Sequence, residues 1–134
     1  MKHHHVCIIT SDAKKLMAWY EDKFGFEIIR TWTVDLMPGL NLNYIARDGV
    51  QIEIIGDIPK PDATEEKGNP LENITNGYNH FAISVEDIEA TLKDLEQKDV
   101  ESLIPVQQIP QAGIIAAIIQ DLDGNLIELI QALD

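Results

Sequence analysis

The chain has 134 residues, 45% of them hydrophobic, which suffices for one compact core and falls short of two ordinary domains. A formal net charge of −13, with Arg30 and Arg47 as the only arginines, excludes a nucleic-acid binder, because capture of a polyanion relies on Lys and Arg displacing counterions from phosphates. No apolar run approaches the roughly 20 residues of a membrane span and no secretory signal opens the chain, so a cytoplasmic protein with no membrane partner is expected.

In chain order, His5-Val6-Cys7-Ile8-Ile9-Thr10 reads as a short strand. Ser11 or Asp12 can cap a helix that runs through Leu16, Trp19, Tyr20 and Phe24 and stops at Gly25. Residues 27–35 read as a strand, Met37-Pro38-Gly39 as a turn and residues 41–46 as a strand, after which Asp48-Gly49 makes a hairpin turn into a strand over 50–55. The stretch from 56 to 78 holds three prolines and three glycines, and reads as a linker over 57–77 that can form a flap around Pro59 to Pro70. A second series follows: a strand over 80–85, a helix capped by Asp87 with Ile88, Leu92 and Leu95 at helical spacing, and a strand over 102–106. A turn at 110–113, a strand over 114–120, the Asp123-Gly124 turn and a strand over 125–131 complete it.

The two series match at a constant offset of 75 residues: His5 with His80, Asp12 with Asp87, Asp48 with Asp123, Gly49 with Gly124 and Glu53 with Glu128, with no insertion required. The expectation is a single α+β domain over 1–134, made of a module at 1–56, the linker at 57–77 and a module at 78–134. Each module is strand, helix and three strands.

Strand parity then groups the polar residues. His5 shares a face with Cys7 and Ile9, Glu53 with Gln51 and Ile55, His80 with Ala82 and Ser84, and Glu128 with Leu126 and Ile130. The opposite rows (Val6 and Ile8, Ile52 and Ile54, Phe81 and Ile83, Ile127 and Leu129) are apolar, as a sheet beneath a helix requires. His and Glu are left on the concave face, where an uncompensated carboxylate is costly. A divalent cation compensates it, and with Cys7 as the lone cysteine a metal has to be held by His and carboxylates. His5, Glu53, His80 and Glu128 are therefore expected to form one N2O2 site for nickel, zinc, cobalt, manganese or iron. His3 and His4 are assigned no role.

These residues carry a resemblance. His5 through Asp12, Trp19-Tyr20-Glu21-Asp22-Lys23-Phe24-Gly25-Phe26-Glu27, His80 through Asp87, and Asp121-Leu122-Asp123-Gly124-Asn125-Leu126-Ile127-Glu128-Leu129 resemble the vicinal oxygen chelate superfamily, whose members include glyoxalase I, methylmalonyl-CoA epimerase, extradiol dioxygenases and the fosfomycin and bleomycin resistance proteins. The resemblance covers essentially the whole chain. It implies two βαβββ modules forming a cupped mixed sheet, a homodimer, and a metal held at His5, Glu53, His80 and Glu128. The ligand pattern is similar to that of glyoxalase I, which implies a lyase or isomerase acting through an enediolate on a small substrate that chelates by vicinal oxygens, with Glu128 as base and Glu53 as the alternative. An epimerase, a ring-cleaving dioxygenase and a small-molecule-binding resistance protein are the other readings. Arg30, Trp32 and Cys7 are candidates for the substrate-facing wall, and the Leu103 to Ile109 segment for part of a lid.

Overall fold

The computed structural model describes residues 1–59 and 77–134, so the expected flap around Pro59 to Pro70 lies, Pro59 apart, outside the described residues. The chain divides into two compact units, Met1–Asn79 and His80–Asp134. The first holds β1 (Val6–Ile9), α1 (Ala13–Phe24), β2 (Glu27–Trp32), β3 (Asn41–Arg47) and β4 (Val50–Gly56). The second holds β5 (His80–Ser84), α2 (Ile88–Gln97), β6 (Ser102–Ile109), β7 (Ile114–Gln120) and β8 (Leu126–Ala132). Each unit has its own four-stranded mixed sheet, ordered β1-β4-β3-β2 and β5-β8-β7-β6, with the first and last strands of the unit parallel and the other pairs antiparallel. This is the α+β pair of βαβββ modules. Among the described residues no helix is long and apolar enough to cross a membrane.

Both helices start where an Asp supplies a cap. Asp12 accepts from the Lys15 N–H at 3.0 Å and Asp87 from the Ala90 N–H at 2.9 Å. A side chain just after β4, or at the end of β8, takes a second free N–H of each first turn: Ala13 donates to Asp57 Oδ1 and Ile88 to Gln131 Oε1, both at 2.8 Å. The helix is thereby tied to the strand that it covers. Gly25 ends α1 in the left-handed conformation, with φ at 68°. Leu16 and Tyr20 of α1 are fully buried, as are Ile45, Ile52 and Ile54 on the covered face of the first sheet. In the second unit Ile88 and Leu95 are buried with Ile119, Ile127 and Leu129.

Three local departures from the expected pattern bear on the site. β2 ends at Trp32 rather than residue 35, while β6 runs on to Ile109. A bulge at Ile29 shifts the β2 register, so Ile28 pairs with Ile45 in the covered row whereas Arg30 pairs with Tyr44 in the open row. Ile28 and Arg30 therefore do not share a face. Finally, the two halves are not in constant register. Arg47 faces Val50 across a two-residue Asp48-Gly49 turn with φ of 49° and 84°, as a type I′ hairpin needs. The last β7–β8 pair is Gln120 with Leu126, and five residues intervene. Asp121 closes that longer loop by accepting from the N–H groups of Asp123 and Asn125 at 2.9 Å each. Tyr44 thus faces Glu53, but it is Ile118 and not Ile119 that faces Glu128.

Gly56 fits β4 against the start of α1: a Cβ there would lie 2.5 Å from Ala13 Cβ and 3.0 Å from its backbone nitrogen. Gly56→Ala is expected to destabilise the protein by about 1–3 kcal/mol through overpacking, seen as a lower urea midpoint with an unchanged m-value. An unchanged midpoint would show that the helix start yields without cost.

Candidate metal centre

His5 precedes β1 by one residue and Glu53 sits in the middle of β4, whose apolar neighbours Ile52 and Ile54 are committed to the covered face. The parallel register sets Cys7 opposite Glu53, so His5 lies two residues before that partner, on the same open face. Its Nε2 is 3.0 Å from Glu53 Oε2. The second unit repeats the construction: Ala82 is opposite Glu128, His80 lies two residues earlier, and His80 Nε2 is 3.0 Å from Glu128 Oε2. Side-chain exposure is 29% and 12% for the first His and Glu, and 35% and 18% for the second. Each imidazole therefore meets a carboxylate that is mostly covered yet open to a small ligand. Within each unit, among the described residues, no third His, Cys, Asp or Glu is placed to share a metal ion with the pair.

His4, to which the sequence assigns no role, lies beside the first pair. Its Nδ1 is 2.7 Å from His5 Nδ1 and 3.4 Å from Gln51 Nε2. The amide nitrogen of Gln51 donates, so His4 Nδ1 is the acceptor in that contact. His5 is thus flanked by the His4 ring at Nδ1 and by the Glu53 carboxylate at Nε2.

Tyr44 is the other residue that the sequence reading missed. It pairs across the strands with Glu53, and its ring centroid lies 5.4 Å from that of His5, 5.8 Å from that of His4 and 4.6 Å from that of Trp32. Counting outward from the Asp48-Gly49 turn would have found it. Trp32 stands on the open face beside it, and Arg30 pairs with Tyr44 on the edge strand. Cys7 is exposed on the same face, and its thiol is pushed up by desolvation and by the neighbouring Glu53 carboxylate, which keeps it a thiol rather than a nucleophilic thiolate.

The Glyoxalase/Bleomycin resistance protein/Dioxygenase superfamily matches residues 2–129 of the chain. The chain belongs to this superfamily. It is 26% identical to the mitochondrial methylmalonyl-CoA epimerase of Mus musculus over 132 residues, covering 96% of this chain and 71% of that protein. Among solved structures, a glyoxalase family protein from Enterococcus faecalis superposes with a TM-score of 0.74 at 25% identity, covering 96% of each chain. The trypanothione-dependent glyoxalase I of Leishmania major shares the fold with a TM-score of 0.64 at 23% identity, covering 95% of this chain and 84% of that one. A superfamily that contains lyases, epimerases and resistance proteins leaves the chemistry to the site itself.

Proposed function

We propose that His5 with Glu53, and His80 with Glu128, are divalent-metal ligands, and that the protein is a metal-dependent lyase or isomerase of glyoxalase type acting on a small substrate with vicinal oxygens. The observation that carries this reading is the His Nε2 to Glu Oε2 contact of 3.0 Å, made at the same strand position in both modules. Either contact alone fits an ordinary hydrogen bond. Its repetition at the equivalent position of each module fits paired imidazole and carboxylate donors to a metal. Nickel, zinc, cobalt, manganese and iron(II) all suit these donors.

A bound ion supplies Lewis acidity toward negative charge that develops on the substrate's oxygens. The chain supplies the rest. Glu53, the more covered carboxylate, pairs with a fixed imidazole and suits a permanent ligand; Glu128, more exposed and opposite the apolar Ile118, suits the base that moves a proton at the adjacent carbon. Arg30, Trp32 and Cys7 border the open face where the remainder of the substrate would lie. Cys7, held as a thiol, contributes contact and not nucleophilic attack. A second reading, an epimerase that removes and returns a proton next to a thioester carbonyl, is favoured by the match to the mouse epimerase over 96% of this chain.

The two readings separate by substrate. Protein loaded with nickel or zinc is assayed in D2O against the hemithioacetal of methylglyoxal and glutathione, and against methylmalonyl-CoA. Metal-dependent deuterium exchange or turnover is expected with one of them, and Glu128→Gln is expected to lower it by about 10²–10⁴-fold while retaining metal. Full activity in the metal-free wild type, or in Glu128→Gln, would contradict the proposal.

His4 supplies a second check. His4→Ala is expected to weaken metal binding by about 10–100-fold, and His4→Asn, which preserves an acceptor, to recover most of that loss. Equal affinity in wild type and His4→Ala would remove the supporting role.

A further inference from the structure

β2 is a sheet edge that the chain leaves open. Among the described residues it pairs with β3 alone, and every residue from Glu27 to Thr31 is exposed, so its outer row of backbone N–H and C=O groups has no strand beside it. The matching edge of the second sheet, β6, carries Pro105, which has no N–H to offer another strand; β2 has no proline. Ile28 and Ile29 stand on this edge at 53% and 54% exposure, flanked by Glu27 and Arg30. Lys23, Arg47 and Lys98 each hold a nearby carboxylate, whereas neither Glu27 nor Arg30 has an ion pair or hydrogen bond among the described residues.

Glu27-Ile28-Ile29-Arg30 is its own complement when two copies run antiparallel. A two-fold axis between Ile28 and Ile29 sets Glu27 of each copy against Arg30 of the other, and Ile28 against Ile29. Residues that meet across such an axis have to lie on the same face of their sheets. In an unbroken strand, Glu27 and Arg30 would point to opposite faces and this register could not form. The bulge at Ile29 removes the obstacle: Glu27 pairs with Ala46 and Arg30 with Tyr44, and these face Gln51 and Glu53 in the open row. The bulge brings no apolar burial within its own unit, since both isoleucines stay exposed. Its consequence is an edge whose charges and apolar side chains match a second copy of themselves.

We propose that the β2 edge is the contact between two copies of this chain, joined antiparallel about a two-fold axis between Ile28 and Ile29. The join makes one continuous sheet from two four-stranded ones. It gives each Arg30 the partner's Glu27, covers both isoleucines of each copy, and carries the open row of Glu53, Tyr44 and Arg30 on to the partner's Glu27. A contact of this symmetry closes after two copies and does not propagate into a fibre. The paired segment is short, and a contact confined to it falls below the roughly 1,200 Å² of a standard interface, so the dimer forms reversibly with concentration. The proposal is independent of the metal reading.

Sedimentation velocity of the full chain over about 10 μM to 1 mM tests it, with the wild type expected to pass from monomer to dimer across that range. Glu27→Arg and Arg30→Glu each set like charges against one another in both pairs, and each is expected to weaken the dimer by about 10- to 100-fold. Mixing these two single variants restores opposite charges in both pairs, as does the double variant Glu27→Arg/Arg30→Glu, and dimer formation is expected to return in each case. Because both positions are exposed, melting curves close to that of the wild type are expected for all variants. A dimer that neither single reversal weakens, or a mixture of the folded single variants that stays monomeric, overturns the proposal. So does a wild type that stays monomeric throughout, which leaves the edge to solvent or to a strand from another protein.

Discussion

The burial of Ile45, Ile52 and Ile54 on the face that α1 covers commits that side of the first sheet to apolar side chains, and the two-residue period of β4 then leaves Glu53 only the other side. The same holds for Glu128 between Ile127 and Leu129. Once the carboxylates are confined to the open faces, His5 and His80 reach them because each lies two residues before the residue paired with its Glu on the parallel neighbouring strand. The chemistry of the site thus follows from core packing. A sheet that buries one row well presents the opposite row as a regular array, and a duplicated module presents it twice.

The halves share this array without sharing its lining. In the first unit Glu53 faces Tyr44, with Trp32, His4 and Arg30 around it, so that side is aromatic and cationic. In the second, Glu128 faces Ile118, which in turn faces Ile104, so that side is aliphatic. Duplication repeats the His/Glu pair, and divergence of the neighbouring strands gives each pair its own lining.

Much of this was legible in the sequence. The Asp12 and Asp87 caps, Gly25, the Asp48-Gly49 turn and the apolar rows place the helices and strands, and the shared register of His5, Glu53, His80 and Glu128 brings each His to its own Glu. What was not legible arises where one residue is added. The bulge at Ile29 and the longer connection before Leu126 each shift a strand by one position, and one position reverses which face a side chain occupies. Simple alternation along β2 therefore puts Arg30 on the face of Ile28, and the constant offset misaligns β7. The contact of His4 with His5 is illegible for another reason, because no spacing rule encodes a ring-to-ring contact between neighbours.

The central claim is that each His/Glu pair ligates a divalent metal ion. Metal content of the wild type, beside His5→Ala and His80→Ala, tests it most directly. A divalent ion held by the wild type, with metal content lowered when either histidine is replaced, is the predicted result. A metal content that neither substitution changes would contradict it.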